Sequence, residues 1–203
     1  MTAVSSRTTS RSDEIRTEIL RKSIHLMIGM TPLMANLNLY ATMALLASGI
    51  VVYSWAESVR LQGKSLGFVT AVTQLASRDR DRNKAVLGPV TLGLGALLCL
   101  MLYPEPAATV GIYALAFGDG LSSLVGKLFG RIHIPYTGGK TLEGSLTAFL
   151  AIWFAAYSAY PKPAVALTVA LAGTALEALP LDDLDNLVIP LGTALVFSLL
   201  YPH

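Results

Sequence analysis

The chain is short of charge. Of its 203 residues only 14% are Asp, Glu, Lys or Arg, against roughly a quarter in an ordinary soluble domain, while 53% are hydrophobic and the mean hydropathy is +0.57. That balance excludes a typical soluble fold and indicates an all-α integral membrane protein. The single cysteine, Cys99, lies in an apolar run and excludes a disulfide framework. The first 13 residues are rich in Ser, Thr and Arg with no apolar core, so they read as a flexible tail, not a secretory signal. Internal repeats and dividing linkers are missing too, and residues 14–203 read as one polytopic domain. A Ser-His-Asp arrangement, a thiolate nucleophile, a P-loop spacing and any sign of a nucleic-acid partner are also lacking.

What the chain does contain is long uncharged stretches. They cover Ser23–Ala56, interrupted only by His25, then Ala85–Pro104, Gly144–Pro161 and Asn186–Pro202; Pro106–Gly126 carries Asp119 alone. About 18 apolar residues suffice to cross a bilayer, and Ser23–Ala56 is long enough to cross twice, with its pivot at Asn36-Leu37-Asn38. The shorter Pro163–Leu176 completes a count of seven spans. With that count every basic residue except Lys162 falls on one side, which the positive-inside rule makes cytoplasmic. The N-terminus is then expected inside and the C-terminus outside, with function at the cytoplasmic face. The long inner loop holds Leu66–Leu75, apolar enough to lie along the interface as a short helix.

Three polar constellations break the apolar pattern. An Asp at the centre of a membrane helix costs about 2.5 to 3.5 kcal/mol on insertion scales, so Asp119 calls for a reason. Taken as a helix position, it shares one face with Ser122, Ser123, Gly126 and Gly130, and Lys127 follows one turn from the surface. In "TGGKTLEGS", Gly138 and Gly139 free backbone N–H groups for an anion, Lys140 adds positive charge, and Thr141 and Ser145 can cap the next span. Glu143, three residues after Lys140, is placed to pair with it or to hold a divalent cation. The third constellation, Glu177 with Asp182, Asp183, Asp185 and Asn186, is an acidic inner loop suited to Mg²⁺. Asp185 and Asn186, at the membrane edge, are the stronger candidates. Near the start, "RKSIH" sets Arg21 and Lys22 within a turn of His25. Glu57 and Arg60 read as an ion pair at the inner end of span 2.

Lysines, arginines, backbone N–H groups and carboxylates on one face equip a protein for phosphoryl or nucleotidyl transfer. The combination "GDGLSSLVGKLFGR", "GGKTLEGS", a closing "E-x-L-P…D-N-L-x-I-P" and the early "RKSIH" resembles the dolichol kinase and phytol kinase family of polyprenol kinases. The resemblance runs from about Arg21 to Pro190. It implies phosphorylation of a membrane lipid alcohol by CTP with Mg²⁺, at the cytoplasmic face of a multi-pass protein. It further implies that Asp119, Lys140, Glu143 and Asp185 are catalytic, with Asp119, Glu143 and Asp185 holding the metal. Gly126, Lys127, Gly139, Lys140, Thr141 and Asn186, together with Arg21, Lys22 and His25, would bind the nucleotide and its phosphates. Which of Asp119 and Asp185 acts as base is open, as is a homodimer. The first two motifs also resemble phosphatidate cytidylyltransferases, although their basic, His-Gly-Gly and Asp-Arg-x-x-Asp ending is lacking here. A small proton- or ion-coupled transporter is the reading from a different class.

Overall fold

A computed structural model describes residues 11–63, 67 and 84–201 of the chain. Helix α1 spans Arg11–Ile28 and stops at Gly29 and Met30, whose N–H groups close a tight turn onto Leu26 and Met27. Helix α2 (Thr31–Leu37) restarts with Pro32 in its first turn, where no amide donor is needed. Asn38 then adopts an extended backbone, and its Oδ1 accepts from the Ala41 N–H at 3.0 Å, capping α3 (Leu39–Leu61). Helix α4 is Gly88–Leu102, and α5 is Ala107–Tyr113. The latter passes through a π-helical segment, Ala114–Asp119, into α6 (Gly120–Phe129). Helices α7 (Leu142–Ala159), α8 (Pro163–Glu177) and α9 (Asp185–Leu200) follow, with a 3₁₀ turn at Asp182–Leu184 before the last. Among the described residues the only β pairing is a single bridge between His133 and Thr141.

The 23-residue helix from Ala107 to Phe129 is the axis of the bundle, with 61% of its apolar window buried against 11% for α3. Its sequence explains the position, because Ala107, Ala108, Gly111, Ala114 and Gly118 are small enough for neighbouring backbones to approach. One core cluster joins Val110 and Ala114 to Ile152 of α7, Val169 of α8 and Ile189 and Phe197 of α9. A second joins Ile112 to Ala96 and Cys99 of α4 and Ala194 of α9. Helix α3 packs mainly on α4, and its inner end is clamped by Glu57, which accepts from Arg60 at 2.7 Å and from the Val86 N–H at 2.7 Å.

The all-α reading holds among the described residues, and the helices give fewer candidate spans than the seven expected. Among the described residues four helices are long and apolar enough to cross a membrane: Leu39–Leu61, Ala107–Phe129, Leu142–Ala159 and Asp182–Leu200. Gly88–Leu102 and Pro163–Glu177 are apolar but only 15 residues long. The first expected span is not one helix, because Gly29 and Pro32 divide it between α1 and α2; the pivot at Asn38 is where the reading set it. Helix α1 begins at Arg11, inside the segment expected to be a tail. The interfacial helix expected at Leu66–Leu75 lies outside the described residues apart from Gly67.

Close packing of α4 on α9 depends on Gly95, where a Cβ would run into the Asn186 carbonyl, whereas a Cβ at Gly49 of α3 would meet nothing within 4 Å. Gly95→Ala is therefore expected to destabilise by about 1–3 kcal/mol, and Gly49→Ala to leave stability unchanged or slightly raised, measured by thermal unfolding in detergent.

Candidate active site

Helices α6, α7, α8 and α9 run alternately up and down, so the C-terminus of α6, the N-terminus of α7, the C-terminus of α8 and the N-terminus of α9 meet at one end of the bundle. A cavity of about 630 Å³ opens there. The helical face expected from the sequence lines it, with Asp119, Ser122, Ser123, Gly126 and Gly130 all on its wall. Regular helix from Gly120 onward keeps these side chains on one side. Glycine is required at the α6–α7 crossing: a Cβ at Gly126 would press on Thr141 Oγ1 at 2.9 Å, and one at Gly144 on the Ser122 carbonyl at 2.8 Å.

The segment between α6 and α7 folds back on itself as a hairpin. The Ile134 N–H donates to the Lys140 carbonyl at 2.9 Å, and the Leu142 N–H to the Ile132 carbonyl at 2.8 Å. Its tip requires the left-handed backbone region at Tyr136 (φ 65°), Gly138 (φ 70°) and Gly139 (φ 97°). The glycines adopt it freely and Tyr136 under strain. Thr137, Gly138, Gly139 and Lys140 thereby line the cavity, and Thr141 Oγ1 accepts from the Gly144 N–H at 3.2 Å to cap α7.

Asp119 is 1% exposed, and its charge is met from α1. Lys22 Nζ donates to Asp119 Oδ2 at 2.5 Å and is itself 1% exposed. His25 Nδ1 lies 3.2 Å from the same oxygen but makes no hydrogen bond to it. Asp119 Oδ1 is buried without a hydrogen-bond partner, and Lys140 Nζ lies 3.9 Å from it. Lys140 in turn donates to Glu177 Oε1 at 2.6 Å. Lys127 donates to Glu18 Oε2 at 2.7 Å, and Arg21 to Glu18 Oε1 at 2.6 Å. Burial opposes the charge on Glu18, yet Arg21 and Lys127 hold its carboxyl down at about 2. Asp185 lines the cavity and makes no hydrogen bond or ion pair with the described residues.

The expected site residues fall into two groups. Arg21, Asp119, Gly126, Lys127, Gly139, Lys140, Thr141 and Asp185 share the cavity. Lys22 and His25 stand behind Asp119, where the Lys22 ammonium is committed to that carboxylate and not presented to a phosphate. Two expected residues lie outside the cavity lining. Glu143 does not line the cavity; its carboxylate accepts from the Arg131 and Ile132 N–H groups at 2.9 and 3.4 Å. Asn186 does not line it either, because its amide donates to Thr91 Oγ1 at 2.9 Å and to the Gly88 carbonyl at 3.3 Å, tying α9 to α4. Asp119, Glu143 and Asp185 are thus not gathered as a ready-made metal set, and no group of three or more metal-ligating side chains occurs among the described residues. Among the hard oxygen donors of the cavity are Asp119 Oδ1, which has no hydrogen bond, and the carboxylates of Asp182 and Asp185.

Glu18 lines the cavity and was not selected by the sequence reading, while Glu177 was read only as part of the acidic loop. Glu18, Lys22 and His25 recur at i, i+4 and i+7, and that spacing places all three on one helical face. Glu177 was grouped with the acidic loop, whereas it is the last residue of α8 and 1% exposed.

Comparison with known proteins follows the same lines. The chain is 26% identical over 207 residues to a probable chloroplastic phytol kinase of Triticum aestivum, covering 92% of this chain and 69% of that one. It is 28% identical over 206 residues to a chloroplastic farnesol kinase of Arabidopsis thaliana, with 91% and 66% covered. A phytol kinase of Synechocystis is 40% identical over 98 residues, 44% of this chain and 42% of that protein. The chain therefore spans about two thirds of the length of the plant relatives and less than half of the Synechocystis one. No family model matches the chain, and no solved structure matches it. The resemblance to polyprenol and phytol kinases drawn from the motifs is borne out by these relatives.

Removing Lys22 strands a buried carboxylate, which typically costs about 3–5 kcal/mol. Lys22→Met is expected to lower the Tm in detergent sharply, and adding Asp119→Asn to that variant to recover much of the loss, since the stranded charge is then gone.

Proposed function

We propose that this relative of the phytol and farnesol kinases transfers the terminal phosphate of CTP to a membrane-dissolved isoprenoid alcohol. The observation that carries the reading is the convergence of Asp119, Lys140 and Asp185 on one cavity, with Lys140 Nζ 3.9 Å from the orphaned Asp119 Oδ1. Names of the relatives support an isoprenoid alcohol as acceptor, and the motif resemblance supports CTP as donor. The concentration of basic side chains at the cavity end of the bundle supports a cytoplasmic active site.

In this mechanism Lys127, Lys140 and Arg21 bind triphosphate oxygens, and N–H groups around Gly138 and Gly139 add neutral donors. Positioning and charge neutralisation supply most of the catalysis in phosphoryl transfer. The acceptor hydroxyl attacks the terminal phosphorus; a new O–P bond forms, the bond to the leaving CDP breaks, and the hydroxyl proton passes to a carboxylate. Asp185 suits that role, because it borders the cavity and has no cation bonded to it, whereas Asp119 Oδ2 is held by Lys22. Asp119 Oδ1, buried with no hydrogen bond, would hold a Mg²⁺ ion. When bound, that ion neutralises charge on the phosphates.

Purified protein given CTP, Mg²⁺ and phytol or farnesol is expected to release CDP and form the prenyl monophosphate. Pyrophosphate release from CTP and phosphatidic acid would replace this reading with the cytidylyltransferase one. Asp185→Asn is expected to cut kcat by about 100-fold or more with an unchanged Tm; near-normal turnover would remove Asp185 from the reaction.

A further inference from the structure

Glu177 takes no part in the reaction as derived, yet it is among the most deeply buried charged groups in the protein. Its carboxylate is fixed from several sides. Ser122 Oγ of α6 donates to Oε1 at 3.0 Å, and Ser145 Oγ of α7 approaches Oε2 at 3.4 Å. Three helices therefore define where this carboxylate stands. Lys140 is the opposite case: it follows the two left-handed glycines of the hairpin, and its side chain is 24% exposed. A lysine free on such a loop loses rotamer freedom when it meets an anion. Here one of its three N–H donors is already fixed to Glu177 at 2.6 Å, which leaves two for a ligand in the cavity.

We propose that Glu177 is a positioning residue: it holds Lys140 in place as a phosphate-binding cation, so that phosphate affinity depends on a carboxylate that does not itself touch phosphate. The inference rests on the reading of the cavity as a triphosphate site. A parallel arrangement stands across the cavity, where Glu18, 3% exposed, holds Lys127. Coulomb's law alone predicts the reverse behaviour, since a carboxylate beside an anion site repels the anion and its removal should tighten binding. Positioning outweighs that repulsion because the Glu177 charge is already offset by Lys140, while its loss would release a flexible side chain into solvent.

The test is calorimetric titration of inorganic triphosphate into the purified protein in detergent, with thermal unfolding of each ligand-free variant as a control. Glu177→Gln, which keeps the shape but not the charge-assisted bond, is expected to weaken triphosphate binding about tenfold. Glu177→Asp, which keeps the charge but withdraws it by one methylene, is expected to weaken it as well. The KM for CTP should rise in step while the KM for the isoprenoid alcohol holds. Unchanged or tighter triphosphate binding in Glu177→Gln overturns the proposal. Should that variant fail to fold, the Ser122→Ala, Ser145→Ala double variant loosens the carboxylate without removing its charge; weaker binding supports the proposal and unchanged affinity overturns it. A wild-type protein that does not bind triphosphate overturns the phosphate reading of the cavity itself, and the role of Glu177 falls with it.

Discussion

Lys22 Nζ and Asp119 Oδ2 stand 2.5 Å apart, each 1% exposed, where α1 packs on the central helix beside the cavity. Desolvating two charges costs several kcal/mol per ion, and replacing such a pair by well-packed apolar side chains is often neutral or stabilising. Stability alone therefore gives a weak reason for the pair to exist. What the pair does is geometric: it fixes α1 against the central helix and holds the Asp119 carboxylate in the wall of the cavity. Asp119 Oδ2 takes the lysine, and Oδ1 stays buried with no hydrogen bond, 3.9 Å from the Lys140 ammonium. The remaining parts of the site are arranged around that oxygen.

Charge in the cavity is nearly balanced before any ligand enters. Glu18 is shared by Arg21 and Lys127, and Glu177 holds Lys140. Asp185 has no such partner in the described structure. A site built this way tolerates its own burial and still presents ammonium N–H groups and a free carboxylate to an incoming polyanion. The glycine contacts between α6 and α7 make it compact, because they bring the hairpin that carries Lys140 directly over Ser122 and Ser145.

The α6 face was legible in the sequence because the helix is regular from Gly120 onward, so a period of 3.6 residues reports side-chain direction faithfully. The π-helical segment before it leaves no comparable trace. Glu143 was misplaced for a definable reason. The i, i+3 relation to Lys140 assumes both lie in a helix, but α7 begins at Leu142 and Lys140 precedes it on the hairpin. Asn186 stands apart for another reason: neighbouring helical residues point about 100° apart, so Asp185 lines the cavity while Asn186 bonds to α4. Pairing across helices is set by tertiary contact, and no local pattern encodes the meeting of Glu177 with Ser122 and Ser145.

Where the polar groups lie along the bundle separates the enzyme reading from a transporter. Transporters place their ionisable groups at the bilayer midplane, between paired repeats or broken helices. Here Asp119 and its partner Lys22 lie within their helices, but Lys140, Glu177 and Asp185 sit at helix ends, and the sequence has no internal repeat. Helix length then decides how deep that end lies. Helices α4 and α8, at 15 residues each, are about 22 Å long at 1.5 Å per residue, against about 30 Å of hydrocarbon. If their far ends reach one boundary, their cavity ends stop several Å short of the other. The carboxylate of Glu177, at the end of α8, is then recessed below the level of the headgroups. A hydrophilic triphosphate can descend to such a floor from water, and a lipid hydroxyl can meet it there without leaving the bilayer.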